Sequence, residues 1–515
     1  MATTIPFLSY LLAVILFATL PFASGLVYPT DASGKPLPNS IQTYYIDAFN
    51  LWRNRDLYQS GLDDLNPAVK RVARLGNASV DDQTVYTVTA KNKSQLAPSN
   101  NPHDYYSLAR YFWPNNLTAN GLPYVRIDGR LNPESTQVTD EAWLSKVVED
   151  VWNAGLAWFW TGDVRYADMG VKRLRQWFLD DATKMNPTLE FAEVVKGRST
   201  QQTVAIPSNI PPGWPGTTTD DVWDHIPVGW PGRPAGVARM KRQVPATSIT
   251  LAPFNGSLMA MSTFYELIDG VSLLRTSPSL TSKDIASFTN WTTAYLQWLQ
   301  TSPRGQYESS RTDYRGVWYD VQEVSLLLYL NRTSDASQVL RNRSSYRIAS
   351  AISPNGNIPV ELAKTSSWES SVTFVQGLFA LGTLSQNGGL EVDLFTVSTS
   401  DGRSIQRALD FLYPFALVNG SGWPVLPNRV FQTGEAITQL CKEAWVVYGD
   451  QKYQRAVHAL QGGNPETWNP GRLWAPYLAI DAAVEAAAWK GVVANWRLVL
   501  GMMVMGIVGM GFSTA

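Results

Sequence analysis

The chain has 515 residues, 45% of them apolar and 17% charged, with a formal net charge of −1 at pH 7. That length holds one large domain or two to three ordinary ones. The near-neutral charge leaves no electrostatic footprint for nucleic acid, which is excluded as a partner. The 20 Trp and 22 Tyr residues stand out: they are either spacers between packed helices or platforms on which pyranose rings stack.

Residues 1–25 read as a secretory signal, with an apolar stretch over 5–20 and the small residues Ala23, Ser24 and Gly25 at the cleavage site. The leading residues lack Lys and Arg. Eight sequons, at Asn77, Asn92, Asn116, Asn255, Asn290, Asn331, Asn342 and Asn419, agree with a secretory route. The main domain is expected over 26–490. Its first helical run is 41–57, and the best strand-like alternation is 85–88. Over 142–160 a helical stripe runs through Leu144, Val147, Val148, Val151, Gly155, Trp158 and Phe159. Gly162 can end that helix and Asp163 can cap the next, which shows Ala167, Val171, Leu174 and Phe178. The joint Gly162-Asp163-Val164-Arg165-Tyr166 has an echo in Gly449-Asp450-Gln451-Lys452-Tyr453, a hint of repeated helical hairpins.

From 207 to 245 the chain is rich in Pro and Gly, with Gly-Trp-Pro-Gly at 213–216 and again at 229–232. It cannot be regular helix. A loop this long is either functional, for instance a flap presenting Trp214 and Trp230, or disordered. Lys241-Arg242 within it is either a protease processing site or two ordinary exposed bases. Further helical runs are 262–274, 285–299, 321–330, 372–384, 405–412 and 478–489. Stacked helical hairpins that close on themselves bury a shared core and leave a cleft at one rim.

Cys441 is the sole cysteine, so no intramolecular disulfide forms, and its helical surroundings predict buried packing. His103, His225 and His458 fit no metal-ligand spacing, and no metal or cofactor is expected. The 491–515 tail is apolar and follows Ala486-Ala487-Ala488 and a nine-residue spacer. It reads as a GPI signal, a membrane-spanning tail or a packed helix. The expected location is extracellular or at the cell surface, anchored to membrane through that tail, and the expected state is a monomer.

Two blocks carry a resemblance. They are Asn101–Asn116 (NPHDYYSLARYFWPNN) and Gly121–Ser135 (GLPYVRIDGRLNPES), joined by Trp160–Asp163, Trp318–Gln322 (WYDVQ) and Ile358–Trp368 (IPVELAKTSSW). Asp393-Leu394-Phe395 and 401–405 (DGRSI) add to it. Together they resemble the alginate lyase family in its fungal secreted branch, over roughly residues 40–490. The resemblance implies an all-α fold, an incomplete (α/α) toroid built from helical hairpins. It also implies β-elimination on an acidic, uronic acid-containing polysaccharide or another cell-wall glycan.

That reaction needs a group to neutralise the uronate carboxylate, so that the C5 proton becomes acidic. It needs a base to take that proton and an acid to protonate the leaving oxygen. In the family, an Asn-Asn-His-Gly loop supplies an Asn that holds the carboxylate and the His base. Asp313, Tyr314, Arg315 and Gly316 stand in those places here. The family's Arg appears as Lys364, and its catalytic Tyr has no counterpart in Trp368-Glu369-Ser370-Ser371. Arg315 cannot be a base, since its pKa exceeds about 12, but it can hold a carboxylate. Tyr314 is a possible base, because a nearby cation lowers a phenol's pKa from about 10. Neighbours in an extended loop point to opposite sides, which sets Tyr314 and Arg315 apart. Tyr106 and Tyr105, in the segment resembling the family's entrance loop, are alternatives.

The catalytic candidates are therefore Tyr314, Arg315, Lys364 and Tyr106. The resemblance further implies a substrate-facing set of His103, Tyr105, Trp113, Arg126, Asp313, Trp318, Tyr319, Gln322, Glu361 and Trp368. Asp313 facing a polyanion would be repulsive unless paired with Arg311 or Arg315. Three readings of 311–322 stay open: altered chemistry, glycan binding without cleavage, and a salt-bridged helix cap with Arg315 on Asp313 or Asp320.

Overall fold

A computed structural model describes residues 42–61, 65–90, 95–127, 129–198, 202–205, 248–251, 256–425, 435–460 and 473–474. The signal, the tail, the 478–489 helix and the 207–245 loop with Trp214 and Trp230 lie outside the described residues. Among the described residues, no helix is long and apolar enough to cross a membrane.

Two kinds of helix alternate. Helices α3 (Asp140–Thr161), α5 (Phe264–Leu274), α8 (Tyr314–Tyr329), α12 (Ser367–Asn387) and α14 (Glu435–Tyr448) pack one on the next. α5 buries ten of its 11 residues and α8 buries 13 of its 16, as helices in an interior layer must. The intervening helices α4 (Val164–Leu174), α6 (Ser282–Thr301), α13 (Ile405–Leu417) and α15 (Gln451–Leu460) are amphipathic. On α15 only Tyr453, Ala456 and Val457 are buried, one stripe at helical spacing. Inner helices run parallel: Gly377 of α12 lies against Val317 and Trp318 of α8, and Gly388 beyond it against Leu328. An inner layer of parallel helices with an outer layer returning the chain is an incomplete α/α toroid.

The α3–α5 contact depends on two missing side chains. A Cβ at Gly155 would stand 2.7 Å from the Gly270 carbonyl, and one at Gly270 would stand 2.9 Å from the Val151 carbonyl. The backbones touch there because neither residue carries a side chain. The hairpin joint repeats as its sequence echo suggests. Gly162 and Gly449 both adopt left-handed backbone, and each donates its N–H to the carbonyl of a Trp four residues back, Trp158 and Trp445. Asp163 and Asp450 then cap the next helix through the N–H of Arg165 and Lys452. Tyr166 and Tyr453 follow and are buried.

Three short remaining helices are α7 (Pro303–Ser309), α9 (Thr333–Val339) and α11 (Pro359–Leu362). Before α3 run α1 (Ala48–Gln59) and α2 (Asn66–Asp81), and α10 is Ser345–Ala351. Among the described residues, six short strands pair in twos: β1 (Tyr106–Leu108) with β4 (Phe191–Val194) in parallel, β2 (Phe112–Trp113) with β3 (Val125–Arg126), and β5 (Gln202–Ala205) with β6 (Ser248–Leu251).

Three expectations need correction. The first helix starts at Ala48, not 41, because the N–H groups of Tyr44, Tyr45 and Ile46 donate to the buried Asp269 carboxylate at 2.7–2.8 Å. No strand forms over 85–88; the carbonyls of Asp82 and Thr84 accept from the buried Arg173 guanidinium, where a strand would need a neighbour. α8 begins at Tyr314 rather than 321. Cys441 is buried as expected, and burial pushes its thiol up to about 12.

Candidate functional site

The start of α8 is built by tertiary partners. Asp313 is extended (φ −87°, ψ −177°), and helix begins at Tyr314. The Tyr314 N–H donates to Glu361 Oε1 at 2.6 Å, so a carboxylate from α11 meets the positive end of α8. Gly316 is required for the turn, because a Cβ there would fall 2.0 Å from the Arg311 carbonyl. Tyr314 and Arg315 are thus adjacent helical residues, about 100° apart around the axis, and not neighbours in an extended loop.

Four charged groups interlock beneath them. Arg311 grips Asp313 with Nε–Oδ1 at 2.9 Å and Nη2–Oδ2 at 2.6 Å. Lys364 Nζ lies 2.9 Å from Asp313 Oδ2 and 2.7 Å from Glu361 Oε2. Burial pushes the Asp313 carboxyl up, but Arg311 and Lys364 outweigh it and hold the pKa well below the usual carboxylate range. Burial pushes the Glu361 carboxyl up, against the pull of Lys364. Burial also opposes the charge on Lys364, but Glu361 and Asp313 overcome it and raise its pKa. The salt-bridged cap is therefore made by Arg311 and Lys364, not by Arg315. Asp320 is taken by Arg347, Arg343 and Ser344.

Above this layer stands Tyr314, with Lys364 Nζ 4.2 Å and Arg315 Cζ 5.9 Å from its ring centroid. Arg315 is half-buried. Burial and Arg311 act against its charge, while Tyr314, Glu193 and Glu308 more than offset them, leaving its pKa above the ordinary value. Charged residues near the β1–β4 pair also act on Tyr314 and Arg315. Arg110 pairs with Glu141, and its charge is felt by Glu193 and Tyr314. Glu193 Oε2 accepts the Ser257 N–H at 2.7 Å, and Glu308 accepts from Leu258. Gly129 approaches Thr365, beside Lys364, which brings the segment after β3 to the same rim. Arg110, Glu141, Glu193 and Glu308 were not singled out from sequence. Arg110 and Glu193 lie 83 residues apart and meet only because β1 pairs with β4.

The other sequence candidates divide. Trp318, Tyr319, Gln322 and Trp368 are core residues, at 7%, 2%, 1% and 2% exposure, and do not line a cleft. Their polar atoms are used internally: Trp318 Nε1 donates to the Thr373 carbonyl, Tyr319 to the Leu299 carbonyl, and Gln322 to the Leu258 carbonyl. Trp368 packs edge-on against Trp423 at 5.1 Å. Glu361 is likewise fully buried and acts as the helix cap. Tyr105 and Tyr106 are buried. Desolvation raises the Tyr105 hydroxyl pKa well above the ordinary value and that of Tyr106 to about 12, which disfavours either as a base. His103 Nδ1 lies 2.7 Å from the Lys184 carbonyl, which only accepts, so the ring proton sits on Nδ1 and the His is tied to the 180s turn. Trp113 donates to the Arg130 carbonyl and has the Arg130 guanidinium 4.3 Å from its ring centroid. Arg126 is exposed on β3, across from Phe112. Tyr314, Arg315 and Lys364, with Asp313 and Glu361 beneath them, are the candidates the structure brings together.

The toroid, with a buried charge cluster at the N-terminal end of an inner helix, defines a polysaccharide lyase-type scaffold. A family model for alginate lyase matches residues 87–223 and 225–423, and the chain belongs to the alginate lyase family. A crystal structure of an alginate lyase from Bacteroides ovatus is 25% identical with a TM-score of 0.67, over 84% of this chain and 98% of that one. Alginate lyase A1-III from Sphingomonas species A1 is 16% identical with a TM-score of 0.45, over 85% of this chain and 97% of its own. No curated protein matches the chain significantly.

Proposed function

We propose that this chain is a secreted, surface-held member of the family that binds an acidic polysaccharide at Tyr314 and Arg315, with the family's elimination machinery impaired. One observation carries the reading. The Asp313 carboxylate already sits between Arg311 and Lys364, at 2.6 and 2.9 Å. The cation expected to neutralise a substrate carboxylate therefore neutralises one of the protein's own. We assign the uronate contact to Arg315, which is half-buried beside Tyr314, and charge-assisted contacts of that kind contribute about 1.5–3 kcal/mol.

A second reading is turnover with Tyr314 as base, from its place at the start of α8 beside Lys364 and Arg315. In that case the C5 proton passes to the Tyr314 oxygen, the bond from C4 to the leaving oxygen breaks, and an acid protonates that oxygen. The deciding experiment incubates the protein with a panel of polyuronates. Ultraviolet absorbance follows the unsaturated ends that elimination creates, and calorimetry follows binding. Binding without new absorbance supports the proposal. Absorbance growth abolished by Tyr314→Phe supports turnover instead, and equal affinity for charged and neutral glycans would sink the carboxylate contact. The membrane tail is tested separately: phosphatidylinositol-specific phospholipase should release the protein from intact cells if the tail is a GPI signal.

A further inference from the structure

A concavity lies away from the charge cluster. It is a groove of about 620 Å³ between α6 and the 175–187 segment, lined by Lys184, Pro187, Lys283, Ser287 and Asn290 among others, with Trp291 at its wall. Its size falls within the roughly 300–1,000 Å³ of small-molecule clefts. The wall is firm: Trp291 is buried and donates its indole N–H to the Met185 carbonyl at 2.7 Å, and Arg175 forks onto Asp284 at 2.7 and 2.9 Å. Lys283, Ser287, Asn290 and Trp291 share one face of α6, at spacings of three and four residues. Asn290 is exposed and begins the sequon Asn290-Trp291-Thr292.

The other described sequons lie elsewhere on the surface. Asn116, Asn331 and Asn419 are exposed at turns, the latter two in left-handed backbone, Asn342 is exposed within the helical turn 340–344, and Asn77 accepts a bond from the Tyr166 hydroxyl. None of them lines this groove.

We propose that Asn290 carries an N-linked glycan whose first N-acetylglucosamine residue seats in this groove. The inference rests on the expected secretory route and goes beyond the reading of the charge cluster. The donor is a lipid diphosphate-linked oligosaccharide. The Asn290 amide nitrogen forms a bond to sugar C1, the C1–O bond to phosphate breaks, and the amide proton leaves with the released diphosphate. The sugar's hydroxyls and N-acetyl group meet the amines of Lys184 and Lys283 and the Ser287 hydroxyl, while Pro187 offers an apolar edge to its methyl group. The order of events is fixed by burial. Thr292 is fully buried, and its hydroxyl bonds the Thr289 carbonyl at 2.9 Å, so a transferase that must reach Thr292 acts before α6 packs.

The test expresses the full chain in a eukaryotic secretory host and maps glycopeptides by mass spectrometry. Melting is then compared for the intact glycoprotein, the form trimmed to a single sugar by an endoglycosidase, and Asn290→Gln. A glycan on the Asn290 peptide is expected. Trimming should leave the melting temperature unchanged, and Asn290→Gln should lower it by several degrees. Made without glycans in bacteria, wild type and Asn290→Gln should melt alike, which assigns the difference to the sugar. Ser287→Trp, which fills the seat, should abolish the difference. Glycans at Asn116, Asn331, Asn342 or Asn419 with Asn290 bare would overturn the proposal while leaving the secretory route intact. Absence of glycan at every sequon would overturn both. A modified Asn290 whose loss leaves melting unchanged would place the glycan in solvent and overturn the seat.

Discussion

Asp313 and Arg315 stand two residues apart and have opposite fates. Asp313 is almost fully buried and held by two cations, whereas Arg315 is half-buried beside Tyr314. Arg315→Ala should therefore weaken binding of a uronate oligomer roughly ten- to a hundred-fold, the equivalent of about 1.5–3 kcal/mol. It should barely change binding of a neutral glucan of equal length, as read by calorimetry. Arg315→Lys should restore only part, since a planar fork becomes a point charge. Lys364→Ala should act differently. It strips a cation from two buried carboxylates, and breaking a buried pair costs about 3–5 kcal/mol, so denaturant unfolding should record a large loss of stability. Asp313→Asn unburdens Lys364, and the same calorimetry should then show tighter uronate binding. The polar residues of 311–322 were legible in sequence as a special place. The Arg311–Asp313 pair was one of the two local pairings the sequence offered, and the structure has it; the second cation on Asp313 was not legible, because Lys364 lies 51 residues away.

At the scale of elements, the α3–α5 crossing and the groove helix α6 make two predictions. Gly155→Ala forces a Cβ against the Gly270 carbonyl. Overpacking of this kind costs about 1–3 kcal/mol, visible as a lower denaturation midpoint with unchanged slope. In α6, Asp284 accepts from Arg175 and completes a capping box with Thr281. Its bonds to Arg175 first, then to Thr281, lower its pKa to about 2, although burial opposes them. Between the unfolded value near 3.9 and that folded value, the unfolded chain binds more protons, so stability falls as the pH falls. The melting advantage of wild type over Asp284→Asn should be full at pH 7 and disappear as the pH drops through about 2. The Gly-Asp-x-basic-Tyr joints were readable because capping is local: a Gly, an Asp and their own neighbours suffice. The start of α8 was not, since its first turn is polar and is held by Glu361 from another helix.

Across the whole molecule, the inner helices bring carboxylates into the toroid's interior. Glu266 of α5 and Glu443 of α14 both act on Tyr45, which comes from the N-terminal segment. Burial pushes each of these carboxyls up to about 7. The unfolded value is near 4.3, so between there and 7 the folded state holds protons that the unfolded chain has released. Stability should therefore decline as pH rises through that window. Denaturant unfolding at several pH values should show the decline, and Glu443→Gln should flatten it. Flat stability over the same window would place these side chains in water.

The sequence by itself determined whatever rests on short-range pattern: apolar stripes for α3 to α6 and α12, the two capped joints, a buried Cys441, and the family blocks that imply the toroid. The tertiary structure alone decided which of the polar and aromatic residues face one another. Trp318, Tyr319, Gln322 and Trp368 belong to the motifs that suggested a sugar site, yet they lie in the core: α8 is buried on nearly every side, the polar atoms of its Trp318, Tyr319 and Gln322 find backbone carbonyls there, and Trp368 of α12 packs against Trp423. Arg110, Glu193 and Lys364 come to Tyr314 from three distant stretches of chain. No local spacing encodes that meeting. It follows from burying one face of each outer helix and nearly all of each inner one, and those contacts join residues far apart in sequence.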